Sequence, residues 1–206
     1  MRGVVLDAFR VLRRAAVQFE RYGWLFILAN LLAVIVSFPI ITAPAAYAGL
    51  SRLNHAAQTG ITASYTDFWT GFREHFRRGL MVAAANVIVL GMLWINFTYY
   101  SDRSGLMFVT LRTAWTIILI VWFGLQFYVW PILDEMEQPT LRGAFQNAII
   151  MLFQNPGFSL TLLLVIALIV ILSTLLVVPW LLLTGSIIAC ISNAAVLDRL
   201  KAFRSK

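Results

Sequence analysis

Residues 37–46 read Ser37-Phe38-Pro39-Ile40-Ile41-Thr42-Ala43-Pro44-Ala45-Ala46. Two prolines close an apolar run that begins near Trp24, and the chain then enters a segment of small residues, Ala45, Ala46, Ala48 and Gly49. Proline is disfavoured inside a helix and suits turns and helix starts. The stretch therefore reads as the end of one helix, a tight turn and the start of a second. Downstream lies a Phe-rich basic segment, Asp67 to Arg78.

The rest of the chain fits this pattern of apolar helices and short turns. The 206 residues are 61% hydrophobic and 12% charged, against roughly 45–50% and 25% in a soluble domain. No charged residue occurs between Arg21 and Arg52, Arg78 and Asp102, Arg112 and Asp134, or Arg142 and Asp198. A membrane crossing takes roughly 20 apolar residues. The chain reads as a single all-α domain, residues 1–206, a polytopic helical membrane protein with five or six transmembrane helices. The net charge of +7 comes from basic residues flanking apolar runs, where they meet lipid headgroups and set orientation. That placement argues against nucleic acid as a partner. The lone Cys190 permits no internal disulfide.

In chain order, residues 1–22 read as a basic amphipathic helix. Val5, Phe9, Leu12, Ala16 and Phe19 lie on one face, with Asp7, Arg10, Arg14 and Arg21 elsewhere. Such a helix lies in the membrane interface or serves as a docking surface. A cleavable signal peptide ending at Ala46-Tyr47-Ala48 is disfavoured, because the basic region is long and further spans follow. Spans are expected near 24–38, 40–54, 79–100, 108–132, 158–178 and 180–197. The segment 40–54 is the ambiguous one, being only moderately apolar. Counting it as a span places both termini, Arg52–Arg78 and the 133–157 loop in the cytoplasm, as the positive-inside rule favours. The fourth span is read as ending near Pro131, with Asp134, Glu135 and Glu137 just beyond it.

The proline turn has an echo. Pro39 and Thr42 match Pro179 and Thr184, each pair followed by a small-residue helix, and Ser51 to Asn54 resemble Ser192-Asn193. Internal repeats occur in transporters, while proline turns and threonine caps recur in many helical membrane proteins. Both readings stand on the sequence alone.

No catalytic, phosphate-binding or metal motif occurs, so neither an enzyme nor a cofactor is expected. His55 and His75 are distant in sequence, and no carboxylate is expected within the spans. The span polar residues Asn30, Ser37, Asn86, Asn96, Gln126, Ser173, Thr174, Thr184 and Asn193 read chiefly as interhelical hydrogen-bonding groups, the alternative being a hydrophilic path. Arg112 reads as a snorkelling residue. Two cytoplasmic segments carry aromatic faces. Phe68, Phe72 and Phe76 follow a cap at Ser64 or Thr66, and Phe145 follows a cap at Thr140. Each is either a half-sunk interfacial helix or a site of partner docking.

The run Asn30-Leu31-Leu32, Ser37 to Ala45, Ala48 and Leu50, followed by Asp67-Phe68, Gly71-Phe72 and Phe76, resembles the YesL-like family of small bacterial integral membrane proteins. In that resemblance Asn30, Pro39, Thr42 and Pro44 belong to the motif. The resemblance implies a multi-pass protein of the bacterial inner membrane, linked to sugar ABC importers. The expected role is a non-enzymatic accessory or regulatory subunit of a carbohydrate ABC import system. The alternative is an independent small-solute transporter or channel. The expected partners are bilayer lipid, with ABC permease subunits or further copies of the chain.

Overall fold

The computed structural model describes residues 2–60 and 62–204, with side chains from Leu6 onward, so the expectations placed on Val5 and Lys206 fall outside it. It is all helical, with no strand among the described residues. The helices are α1 (Arg2–Val36), α2 (Ala43–Thr59), α3 (Tyr65–Glu74), α4 (Phe76–Tyr100), α5 (Leu106–Glu135), α6 (Leu141–Gln154), α7 (Pro156–Leu176) and α8 (Gly185–Arg204), with a π-helical turn at Trp180–Thr184 before α8. Five helical stretches are long and apolar enough to cross a membrane: Leu6–Val36, Phe76–Tyr100, Leu106–Glu135, Pro156–Leu176 and Trp180–Arg204. The chain is a multi-pass helical membrane protein.

The decisive stretch forms the turn between α1 and α2. Pro44 sits in the first turn of α2, where its missing N–H costs nothing. The Thr42 hydroxyl donates to the Val36 carbonyl and ties the turn to the end of α1. Ile40 has φ 47°, and the Ile41 N–H donates back across it to the Pro39 carbonyl. The second proline turn shares two of these features, with its positive-φ residue before the proline and its threonine bonded to a side chain: Val177 has φ 59°, and the Thr184 hydroxyl donates to Ser173 Oγ at 2.7 Å. The echo is confined to the turns. α1 packs against α8, whereas α7 makes no comparable contact with α2, so the two helix pairs are not packed as symmetric repeats.

Helix α2 is the centre of the fold and is not one of the five span-length helices. Eleven of its 17 residues are buried. It runs back along α1, so that the Arg14 guanidinium donates to the Gln58 carbonyl at 3.1 Å. Its small residues admit the neighbouring helices closely. A Cβ on Gly79 of α4 would lie 2.7 Å from the Ala45 nitrogen, and one on Gly49 would lie 2.7 Å from the Phe68 carbonyl oxygen. The small-residue face is therefore consumed within the chain and is not left for a partner.

Two local expectations are corrected. The N-terminal helix from Arg2 meets the first span at a kink, with Tyr22 non-helical (φ −117°, ψ 16°). Its buried face is Ala8, Val11 and Ala15, while Phe9 is exposed. Small residues let α8 approach, so the packed face is offset from the bulky apolar stripe. Second, Pro131 does not end the fourth span. The helix runs through it to Glu135, as spanning helices tolerate proline when neighbours restore the lost bonding.

The expected caps form. The Thr140 hydroxyl accepts from the Gly143 N–H at 3.2 Å, and the Asp67 carboxylate accepts from the Ser64 N–H at 2.8 Å. Arg112 of α5 reaches back to donate to the Ser101 carbonyl at 3.0 Å, closing the end of α4.

The outer half of the α4–α5 hairpin stands apart. None of the residues from Trp94 to Phe123 is buried, and neither helix makes substantial contact with α1 or α7. At the opposite end of the bundle lie all the ion pairs among the described residues.

Candidate functional site

Extending α5 through Pro131 carries Asp134 into the protein. Its side chain is 1% exposed. A buried carboxylate is costly unless hydrogen-bonded or paired, and α2 and the α3–α4 junction supply the partners. Ser51 Oγ donates to Asp134 Oδ2 at 2.8 Å. The Arg52 guanidinium lies 3.6 Å from Oδ1, and His75 Nε2 lies 3.7 Å from the same oxygen. His75 occupies the break between α3 and α4. Its Nδ1 lies 2.9 Å from an Arg78 guanidinium nitrogen. Arginine only donates, so Nδ1 accepts and the ring proton sits on Nε2, facing Asp134. Arg78 also donates to the Pro139 carbonyl at 2.8 Å, holding the loop after α5.

The neighbouring acid extends this hub. Glu135 lies 3.7 Å from His55 Nε2 and 3.7 Å from the Arg204 guanidinium. The two histidines are thus brought to adjacent carboxylates, although no group of three metal-ligating side chains forms among the described residues. A second ionic cluster joins the helix ends nearby. Arg199 reaches Asp7 at 2.9 Å and Asp198 at 3.0 Å, and its guanidinium stacks 3.9 Å from the centre of the Phe158 ring.

From the hub a line of buried polar groups runs between α2 and α8. On α2, Tyr47, Ser51, Asn54 and Gln58 fall at steps of four, three and four, which is one helical stripe. On α8, Ser186, Cys190 and Asn193 fall at steps of four and three. Asn193 Nδ2 lies 3.3 Å from both the carbonyl and the hydroxyl of Ser51. The Gln58 amide donates to the Cys190 carbonyl at 2.8 Å, and Tyr47 lies 3.4 Å from Ser192. Beyond Cys190 the line passes to Asn30 of α1, which is 1% exposed. Its amide donates to the Trp180 and Leu181 carbonyls at 2.9 and 2.8 Å, and its oxygen accepts from the Ser186 N–H at 3.0 Å. These carbonyls belong to the π-helical turn that follows Pro179, where the regular ladder is interrupted.

Acceptors exceed donors along this line. Asp134 Oδ1, Asn54 Oδ1, Gln58 Oε1 and Asn193 Oδ1 are all buried with no hydrogen-bond partner in the protein. Buried polar atoms are nearly always paired, so such a set marks a place that takes up donors.

The motif residues Asn30, Thr42, Pro44 and Thr184 all hold the α1–α2 and α7–α8 turns, with Pro39 and Pro179 inside them. The aromatic faces lie elsewhere. Phe68 is fully buried; it is core and offers nothing to a partner. Phe72 and Phe145 pack against the core, Phe145 stacking on Trp122 with ring centres 6.0 Å apart. Phe76 begins the next helix after the His75 break, with its ring 5.4 Å from Phe72. Asn86 accepts from Trp122 Nε1 at 2.9 Å and from Gln126 Nε2 at 3.2 Å, a bond between α4 and α5.

The sequence reading missed Asp134, His75 and the α2 stripe. The signal for the stripe was present in the spacing of Tyr47, Ser51, Asn54 and Gln58. That for Asp134 was hidden by the proline three residues before it. Comparison with family models, characterised proteins and solved structures gives no match.

Proposed function

We propose that the chain is a non-catalytic accessory or regulatory subunit of a carbohydrate ABC import system in a bacterial inner membrane, with both termini in the cytoplasm. The residue pattern from Asn30 to Phe76, similar to the YesL-like family, supports the system. The basic residues that cluster at the ionic end of the bundle support the orientation.

The observation that carries the subunit reading is the α4–α5 hairpin. Thirty consecutive residues, 94–123, are without a buried position, and Trp94, Ile95, Val109, Ile117 and Ile118 are exposed along it. This arm offers a second membrane protein a long apolar surface that the chain's own helices leave uncovered. A photoreactive amino acid at Ile117 tests it in native membranes. The subunit reading expects an adduct with a permease subunit; adducts with lipid alone contradict it.

The second reading, an independent small-solute transporter or channel, draws support from the buried polar line. It expects solute release from liposomes holding only the purified chain, and vesicles that stay sealed count against it.

A further inference from the structure

We propose that the buried polar line between α2 and α8 is a proton path with Asp134 as its proton-binding group. This activity holds whether the chain works alone or within a complex, and its failure leaves the subunit reading untouched.

The line starts at Ser173 and Thr184 beside the π-helical turn, passes Asn30 and Ser186, then Cys190 and Gln58, then Asn54, Asn193 and Ser51, and ends on Asp134. Hydrogen bonds join it in segments: Thr184 to Ser173, Ser186 to Asn30, Gln58 to Cys190, and Asn193 through Ser51 to Asp134, while Asn54 bonds to the Leu50 carbonyl of its own helix. Thr184, Ser186, Ser51, Asn54 and Asn193 are fully buried. Hydrogen bonding between side chains alone does not account for the line. Four of its oxygens, on Asn54, Gln58, Asn193 and Asp134, are buried without a hydrogen bond. They accept hydrogen bonds and offer none, which is the lining that holds a hydrated proton. Polar and ionisable groups enclosed by membrane helices are expensive, and they concentrate on ion pathways and proton relays.

Asp134 is the group able to bind and release. It is the acid that the helices enclose almost completely, and Oδ1 is its oxygen without a hydrogen bond, held by ion pairs to Arg52 and His75. The charged and titratable groups facing the hub are Arg52 and His55 of α2, His75 and Arg78 at the α3–α4 junction, Glu135 of its own helix and Arg204 of α8. A proton arriving along the line forms an O–H bond at Oδ1 and neutralises the carboxylate. The same bond breaks when the proton leaves to water beside Arg52, whose side chain is 37% exposed and opens the hub to solvent. Charge balances by proton movement alone, with no redox partner. His75 is a positioning residue: its Nε2–H, fixed by Arg78, faces Oδ1.

The test uses the full-length chain, purified and reconstituted into liposomes that enclose a pH-sensitive dye. A potassium gradient with valinomycin sets an inside-negative potential. The proposal expects internal acidification faster than in protein-free vesicles. It expects loss of that excess in Asp134→Asn, and a clear reduction in Asn54→Leu, which removes an acceptor and leaves every ion pair in place. Variants are compared only where they elute as the same folded species as wild type. Wild-type vesicles no faster than protein-free ones overturn the proposal. So does a wild-type rate in folded Asp134→Asn together with folded Asn54→Leu. A sodium flux equal to the proton flux also overturns it, since the path would then be a nonselective leak.

Discussion

Ser51 Oγ donates to Asp134 Oδ2 at 2.8 Å, a bond that joins the middle of α2 to the last turn of α5 across 83 residues of chain. Asn193 Nδ2 approaches the same Ser51 hydroxyl at 3.3 Å, so one serine connects three helices. Replacing Ser51 with Ala leaves Asp134 with no bond at hydrogen-bonding distance. A hydrogen bond to a charged group contributes about 1.5–3 kcal/mol. The expected loss in Ser51→Ala is of that order, read as a lower midpoint of thermal unfolding in detergent. Adding Asp134→Asn to Ser51→Ala is expected to cost less than the sum of the two single changes, because Ser51→Ala already removes the bond that Asp134→Asn weakens.

Close backbone approach on α2 makes a contrast between glycines. A Cβ on Gly79 would lie 2.7 Å from the Ala45 backbone, whereas a Cβ on Gly91 of the same helix has nothing within 4 Å. Gly79→Ala is expected to destabilise by about 1–3 kcal/mol, the usual penalty of overpacking. Gly91→Ala is expected to be neutral or to stabilise by about 0.5–1 kcal/mol through helix propensity. Thermal unfolding of the two variants side by side checks both signs.

Asn30 uses its whole amide group to bind the π-helical turn. In Asn30→Leu the Trp180 and Leu181 carbonyls and the Ser186 N–H lose that partner. Each buried group left unpaired costs about 1–3 kcal/mol. The variant is expected to unfold at a clearly lower temperature, and hydrogen exchange is expected to rise at Ser186 before it rises in α4.

The two proline turns hold β-branched residues at positive φ, Ile40 and Val177. Such conformations cost of order 1–3 kcal/mol, and glycine adopts them freely. Ile40→Gly is expected to preserve or raise stability, since Ile40 is 82% exposed and loses little packing. Ile40→Val, which keeps the branched Cβ, is expected to give no gain. A fall in Ile40→Gly larger than in Ile40→Val contradicts the strained turn.

Much of this fold was legible in the sequence, for reasons that particular residues make plain. Pro44 in the first turn of α2 and the Thr140 cap are local effects, and local chemistry decides them. The apolar runs give the span-length helices because their length and hydropathy suffice. The partner of each helix was not legible. Phe68 sits on an apolar face that fits an interface or a core equally well, and only the closeness of Gly49 decides for the core. Pro131 reads as a helix end in isolation, and neighbouring helices override it. The hub needed three segments brought together, Ser51-Arg52, His75 and Asp134, which no spacing in the chain reveals. The α2 stripe did show helical spacing, but three of its four polar residues lie in the stretch whose span assignment was open.

The most direct test of the subunit claim is purification of the tagged chain in mild detergent from its own membrane, with the co-eluting proteins identified by mass spectrometry. The account predicts carbohydrate permease subunits and their ATPase in fixed proportion to the chain. Elution alone, or only with further copies of itself, would contradict it.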